Sequence, residues 1–245
     1  MKFIRTITAL SCFLFAAGAV SAQSDGNKRS ETTVEQDYLS NVEDVIITEL
    51  AASDDYDSKL VALQYLENAI GEGRASPDMV AALDSLAGEG VNKLSKTNGR
   101  LMNNYPDIRT KACELLGEIP SEQSKHTLIS VATDDREPMV VSAAIRSLGN
   151  IGMNDNDDVV SMIEFVHRRY AALNPTSSLA LEVLIAYEKL APTVTDRNAM
   201  VQSISEIATN YKYVTPVRTK ALDLLKSIKT ADKNSDSKSK NGSAK

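Results

Sequence analysis

The residues best equipped for chemistry are few: His126, His167 and Cys113, with Cys12 in the apolar start of the chain. A metal site needs imidazoles, thiolates or carboxylates spaced to converge on one ion, and neither histidine stands in a His–Glu pair at such a spacing. The segment Glu164-Phe-Val-His167-Arg-Arg-Tyr170 reads as a helix surface, and His126, beside Lys125 near a helix start, reads the same way. Cys113 occupies the place that Leu222 fills in a near-duplicate segment, so it is expected to be a small buried hydrophobe instead of a nucleophile. The acidic run Asp155-Asn-Asp157-Asp158 has the charge to attract Ca²⁺ but lacks the glycine and distal glutamate of a calcium loop. It is expected to be a loop that ends in a helix cap. No catalytic residue, metal ligand or cofactor site is therefore assigned.

The elements that would carry these residues follow from that near-duplication. Ile108-Arg-Thr-Lys-Ala-Cys-Glu-Leu-Leu116 matches Val217-Arg-Thr-Lys-Ala-Leu-Asp-Leu-Leu225, and proline precedes each, at Pro106 and Pro216. Apolar residues at 108, 112, 115, 116 and 119 recur at 217, 221, 224, 225 and 228, which places them on one face of a helix. Weaker copies align Ala144 and Val183 with Ala112 and Ala221, and Ala62 with them at the start of the array. The register residues 62, 112, 144, 183 and 221 are separated by 50, 32, 39 and 38 positions, which fits a two-helix unit with uneven loops. Partner helices are expected at about 34–52, 77–97, 121–133, 156–172 and 195–212, with Asp78, Ser121, Asp155 and Thr195 as caps. No period-two strand pattern is present. The expected fold is all-α, a solenoid of about five stacked helix pairs over residues 34–230, followed by a disordered Lys/Ser-rich tail, 231–245.

The pattern Pro106-Asp-Ile-Arg-x-x-Ala-x-x-Leu-Leu-Gly117 resembles the second helix of a HEAT repeat, of the variety shared with phycobilisome-lyase-like repeats, and Pro216-Val-Arg-x-x-Ala-x-x-Leu-Leu225 fits it too. The copy after Pro138 has Val141 in place of the arginine. The resemblance implies that Arg109 and Arg218 form a structural ladder with aspartates in adjacent turns, for which Asp107, Asp134 and Asp135 are available. It also implies that the second helices line a concave surface that binds a protein partner. Glu114, Glu118, Arg146, Glu182 and Lys220 are the candidate contacts on that surface. Lys111 with Glu114, and Lys220 with Asp223, are expected to pair along their own helices.

The chain begins Met-Lys-Phe-Ile-Arg, runs through apolar residues from Ile7 to Val20 and reaches Val20-Ser-Ala22 before a polar stretch. This is the pattern of a secretory signal peptide cleaved after Ala22, with a disordered linker from 23 to 33. A lipid anchor on Cys12 would need leucine where Ala9 stands and would leave a very short apolar core. The expected location is the periplasm or the extracellular space. The formal charge is −6, and loss of Lys2 and Arg5 with the leader makes it −8. A surface of that sign repels phosphate backbones, so no nucleic-acid partner is expected. Cys113 would be the only cysteine left, which rules out an internal disulfide. These features point to a non-catalytic scaffold or adaptor of the cell envelope with a protein partner. Two alternatives are an envelope structural protein tethered by its lysine-rich tail, and an enzyme or chromophore-lyase-like accessory protein.

Overall fold

In a computed structural model of the chain, residues 33–242 are described; the expected leader, most of the linker and the last three residues lie outside them. Among the described residues ten α-helices form five consecutive pairs: α1 (Val34–Ala52) with α2 (Tyr56–Gly71), α3 (Pro77–Ala87) with α4 (Pro106–Leu116), α5 (Glu122–Asp134) with α6 (Pro138–Ile151), α7 (Asp158–Leu173) with α8 (Ser177–Leu190), and α9 (Asn198–Thr209) with α10 (Thr215–Gly242). The first helices touch in the order α1, α3, α5, α7, α9, and the second helices in the order α2, α4, α6, α8, α10. The architecture is thus an all-α solenoid of HEAT-like pairs, two helical rows deep. A continuous apolar core runs between the rows from Ile47 to Ile228.

Local chemistry explains where the helices start and stop. Ser76 and Ser121 accept from the amides of Met79 and Ser124 at 3.1 and 3.0 Å, satisfying donors that the first helical turn leaves free. Pro77, Pro106 and Pro138 sit at the first helical position, where a missing N–H costs nothing. Gly152 ends α6 in the left-handed region at φ 71°, as a glycine C-cap does. Of the expected caps, Asp78 is the residue after Pro77, with Ser76 capping in its place; Thr195 lies three residues before α9; and Asp155 turns its carboxylate to Lys125.

One expectation about extent is corrected. The helix expected over 77–97 stops at Ala87, because Gly88 and Gly90 break it, and a long connection follows with a two-residue antiparallel hairpin pairing Lys96–Thr97 (β1) with Arg100–Leu101 (β2). Gly90 has φ +73°, and a Cβ there would lie 2.4 Å from the carbonyl oxygen of Asn103, so only glycine fits the fold-back. At the other end the last helix, α10, has the bounds Thr215–Gly242. Between Pro216 and Gly242 the sequence holds no proline or glycine to stop a helix.

The second-helix row owes its closeness to small residues. A Cβ on Gly117 would sit 2.6 Å from the Ser147 side chain, and one on Gly149 would sit 2.8 Å from the Ala186 backbone. Gly149 is thus a helix-contact residue. In the first four layers the residue one place after the register position lies on the helix flank that Arg109 turns to Asp135 of the following layer, and Leu63, Cys113, Ile145 and Leu184 there are 3 % exposed or less. The residue three places after it faces the preceding layer: Leu115, Ser147, Ala186 and Leu224 are all buried.

Leu116 is fully buried in the second layer, whereas its duplicate Leu225 is only partly buried in the last one. Leu116→Ala is therefore expected to destabilise by about 2–5 kcal/mol, and Leu225→Ala in dilute solution by roughly 1 kcal/mol. Urea unfolding of the two variants measures the difference; equal losses would contradict the layered burial.

Candidate functional site

Two polar systems and one exposed face collect the charged side chains. The first system runs along the edge where first helices turn into second helices. Arg109 on α4 is 1 % exposed and donates through Nε to Asp135 Oδ2 at 2.7 Å and through Nη2 to Oδ1 at 3.4 Å. Its Nη1 donates to the carbonyl of Glu89 at 3.1 Å and to Asn104 Oδ1 at 3.0 Å. Asp135 lies in the α5–α6 turn, one layer on, and also accepts from the Glu137 amide at 2.8 Å. One layer back, Lys59 occupies on α2 the place that Arg109 occupies on α4, three residues before the register position. It is buried and bridges to Glu89 Oε2 at 3.0 Å, again a carboxylate of the following layer. Asn103 completes the cluster by donating to Glu89 Oε1 at 2.6 Å.

The equivalent places in the third and fourth layers are the apolar Val141 and Ala180. In the fifth, Arg218 donates to Thr215 Oγ1 at 3.4 Å while its Nε is buried without a hydrogen-bond partner. Of the other expected rungs, Asp107 accepts from the Tyr56 hydroxyl and Asp134 from Ser130 at 3.2 Å, so neither meets an arginine. Lys59 and Glu89 were not found by sequence reading. The signal for Lys59 was its register offset, identical to that of Arg109; Glu89 was obscured by the helix wrongly extended to 97.

The opposite edge is stitched differently. Lys125 is buried, and its ammonium reaches Asp155 at 2.8 Å, Glu122 at 3.0 Å and Asp158 at 3.4 Å. The hydrogen bond that Lys125 donates to Asp155 leads in raising the lysine's pKa, and the same bond holds the Asp155 carboxylate below its ordinary range. Asp157 accepts from the amides of Asp196 at 2.7 Å and Thr195 at 3.0 Å, which lowers its pKa too. Asp155 and Asp158 thus share Lys125 of the preceding layer, while Asp157 turns to the amides of the following one. Among the described residues no group of three or more His, Cys, Asp or Glu side chains is placed to hold a metal ion.

His167 departs from the sequence reading: it is 1 % exposed and not on a helix surface. Its Nδ1 lies 2.9 Å from Ser203 Oγ on α9, and its Nε2 lies 3.4 Å from the Tyr213 hydroxyl. A serine beside a histidine is the start of a nucleophile–base arrangement, but Ser203 is fully buried and none of the described cavities is lined by either residue. The pair is a satisfied polar link between α7 and the last layer. His126 is exposed. Cys113 is buried and burial pushes its thiol pKa far up, so little thiolate is present to react.

The exposed face is the row of second helices. Glu67 on α2 accepts from Lys111 on α4 at 2.6 Å. Glu114 on α4 lies 3.4 Å from Arg146 on α6, which grips Glu182 on α8 through two bonds of 2.7 and 3.0 Å. Glu188 on α8 accepts from Lys220 on α10 at 2.7 Å. Lys111 and Lys220 thus reach across layers instead of pairing with Glu114 and Asp223 on their own helices. Four of the five candidate contacts, Glu114, Arg146, Glu182 and Lys220, lie in one ladder that crosses every second helix; Glu118 is exposed beside it. The hydrogen bond to Glu182 raises the pKa of Arg146 further, which holds the guanidinium in its charged form.

With this geometry in place, residues 100–170 match the family described as HEAT repeats, a stretch from the hairpin to the end of the α7 core contacts. No curated protein and no solved structure matches the chain. The matched stretch holds Arg109, Asp135, Glu114 and Arg146.

Burial is the main cause that holds the His167 pKa below its ordinary 6.5. The unfolded chain then binds a proton that the folded chain refuses, so stability falls as pH drops below about 6.5. The lowered aspartates act only in more acidic solution, below about pH 4. A thermal melt series from pH 7.5 to 5 is expected to show a falling Tm for the native chain and a flatter profile for His167→Asn. Parallel profiles would contradict the assignment.

Proposed function

We propose that the chain is an exported, non-catalytic scaffold of the cell envelope, whose row of second helices binds a protein partner. HEAT repeats are in general protein-interaction scaffolds. The observation that carries the reading here is the ladder Glu67–Lys111, Glu114–Arg146–Glu182 and Glu188–Lys220. It presents alternating charge over five layers on side chains already fixed by their neighbours. A fixed pattern of charge serves recognition, because complementary patterns steer encounter and exclude wrong partners more than they add raw affinity. Side chains already ordered also lose less entropy on binding.

The groups with chemical potential favour the same reading by their location. His167, Ser203 and Cys113 are closed inside the core, and Lys125 is spent on three carboxylates. The leader supports export, and no helix among the described residues is long and apolar enough to cross a membrane. The acidic balance of the chain weighs against a nucleic-acid partner.

Because the ladder is internal, its sign can be inverted without breaking it. The triple variant Glu114→Arg, Arg146→Glu, Glu182→Arg keeps opposite charges at each rung, so its Tm is expected to stay within a few degrees of the native value. Crosslinking in intact cells, followed by identification of the captured polypeptide, is expected to find one partner for the native chain and at least a tenfold loss for the variant, as expected for charge pairs each worth about 1 kcal/mol or more. Undiminished capture by a folded triple variant would remove this face from the account.

A further inference from the structure

The two ends of the solenoid are unfinished in complementary ways. One place after the register position, Leu63, Cys113, Ile145 and Leu184 are covered by the layer that follows, while Leu222 in the last layer is 48 % exposed. Three places after the register position, Leu115, Ser147, Ala186 and Leu224 are covered by the layer that precedes, while Tyr65 in the first layer is 42 % exposed. Val61, four residues before Tyr65, is exposed with it, and α1 adds Tyr38, Val42 and Val45. Terminal repeats of a soluble solenoid need a polar outer face. Here the last layer offers the surface that a following layer covers, and the first layer offers the surface that a preceding layer covers.

The ion pairs are unfinished in the same sense. Lys59 meets Glu89, and Arg109 meets Asp135, each a carboxylate in the first-to-second helix connection of the next layer. Arg218 holds the same place in the last layer, where its Nε is buried and unpartnered. The corresponding turn of the first layer is Ser53-Asp54-Asp55; Asp55 caps α2, and Asp54 is exposed, with no hydrogen bond or ion pair among the described residues. Net charge follows this polarity. From Val34 to Glu72 there are ten acidic residues and one basic, Lys59; from Lys212 to Thr230 there are five basic and one acidic, Asp223. Unlike ends attract, and like ends repel.

We propose that the ends dock on one another, the last layer of one copy seating on the first layer of a second copy, with Arg218 meeting Asp54 as Arg109 meets Asp135. The contact repeats the stacking that already joins layers within the chain. It buries Leu222 and Leu225 against Val61, Tyr65 and the outer stripe of α1. Such a contact joins different surfaces on the two partners, so it propagates head to tail into a filament or closes as a ring. The second-helix face stays open along the assembly, and the inference does not depend on what binds there.

Mixing two variants tests the polarity. Leu222→Glu spoils only the last layer and Tyr65→Glu only the first; both positions are exposed, and unchanged helical circular dichroism verifies that each variant folds, with serine at the same positions as the substitute if glutamate does not. In sedimentation velocity, chain recovered from cells expressing the whole sequence is expected to grow heavier with concentration up to about 100 μM, a range that covers weak specific contacts. Each variant alone is expected to sediment as a single chain. An equimolar mixture is expected to give dimers and nothing larger, because one good first layer and one good last layer remain between the two. A native chain that stays single, a variant that still associates alone, or a mixture that stays single would each overturn the proposal; the last two would show that any association uses other surfaces or another partner.

Discussion

Burial between consecutive layers is the constraint on which the rest of this structure depends. A helix pair has two apolar flanks, and it can hide only part of that surface by folding on itself. The remainder is removed from water only when another pair stacks against it. With no tryptophan and few aromatic residues, the chain meets this requirement with leucine, isoleucine, valine and alanine at short helix separations. Gly117 and Gly149 set those separations, since any side chain there would strike Ser147 or Ala186. Each pair is thereby held by its neighbours more than by itself.

Polar chemistry is fitted to that stacking and fixes its register. At one edge Lys59–Glu89 and Arg109–Asp135 are buried, so removing one partner leaves a charge stranded in the interior, a loss of about 3–5 kcal/mol. Buried pairs of this kind add little net stability over apolar residues of the same shape. Their effect is to reward one offset between layers, since a slipped layer would separate charge from countercharge. At the other edge Lys125 and Asp157 span the third to fourth and fourth to fifth layers. On the second-helix face, the exposed pairs add only tenths of a kcal/mol each to stability. Their contribution is a fixed pattern of charge on a rigid support, the feature on which the proposed recognition rests.

Much of this was legible in the sequence because periodicity records burial. The echo of Ile108–Leu116 in Val217–Leu225 located two second helices, and alignment of Ala62, Ala144 and Val183 located the other three. Charge placement was legible where a residue shares a register position, as with Arg109, although Arg218 at the same offset meets Thr215 instead of an aspartate. It was lost where the chain departs from the helix pattern. Glu89 and Asn103 belong to the irregular connection after Gly88, whose fold-back no 3.6-residue pattern can announce. His167 was misread because its neighbours Arg168 and Arg169 are charged, although Ile163, His167 and Tyr170 share one buried stripe while Phe165 faces solvent. The reach of Lys111 and Lys220 across layers was also hidden, since a single sequence shows which charges lie on one helix but not which meet between helices.

Native-state hydrogen exchange resolved by segment tests the layered account most directly, because a stack held by its neighbours opens from its ends inward. The account predicts slowest exchange in α6, intermediate rates in α4 and α8, and fastest opening in α1 and α10, with α4 losing protection when Leu116 is truncated. Uniform protection that collapses in a single step across all ten helices would contradict it and point to one undivided core.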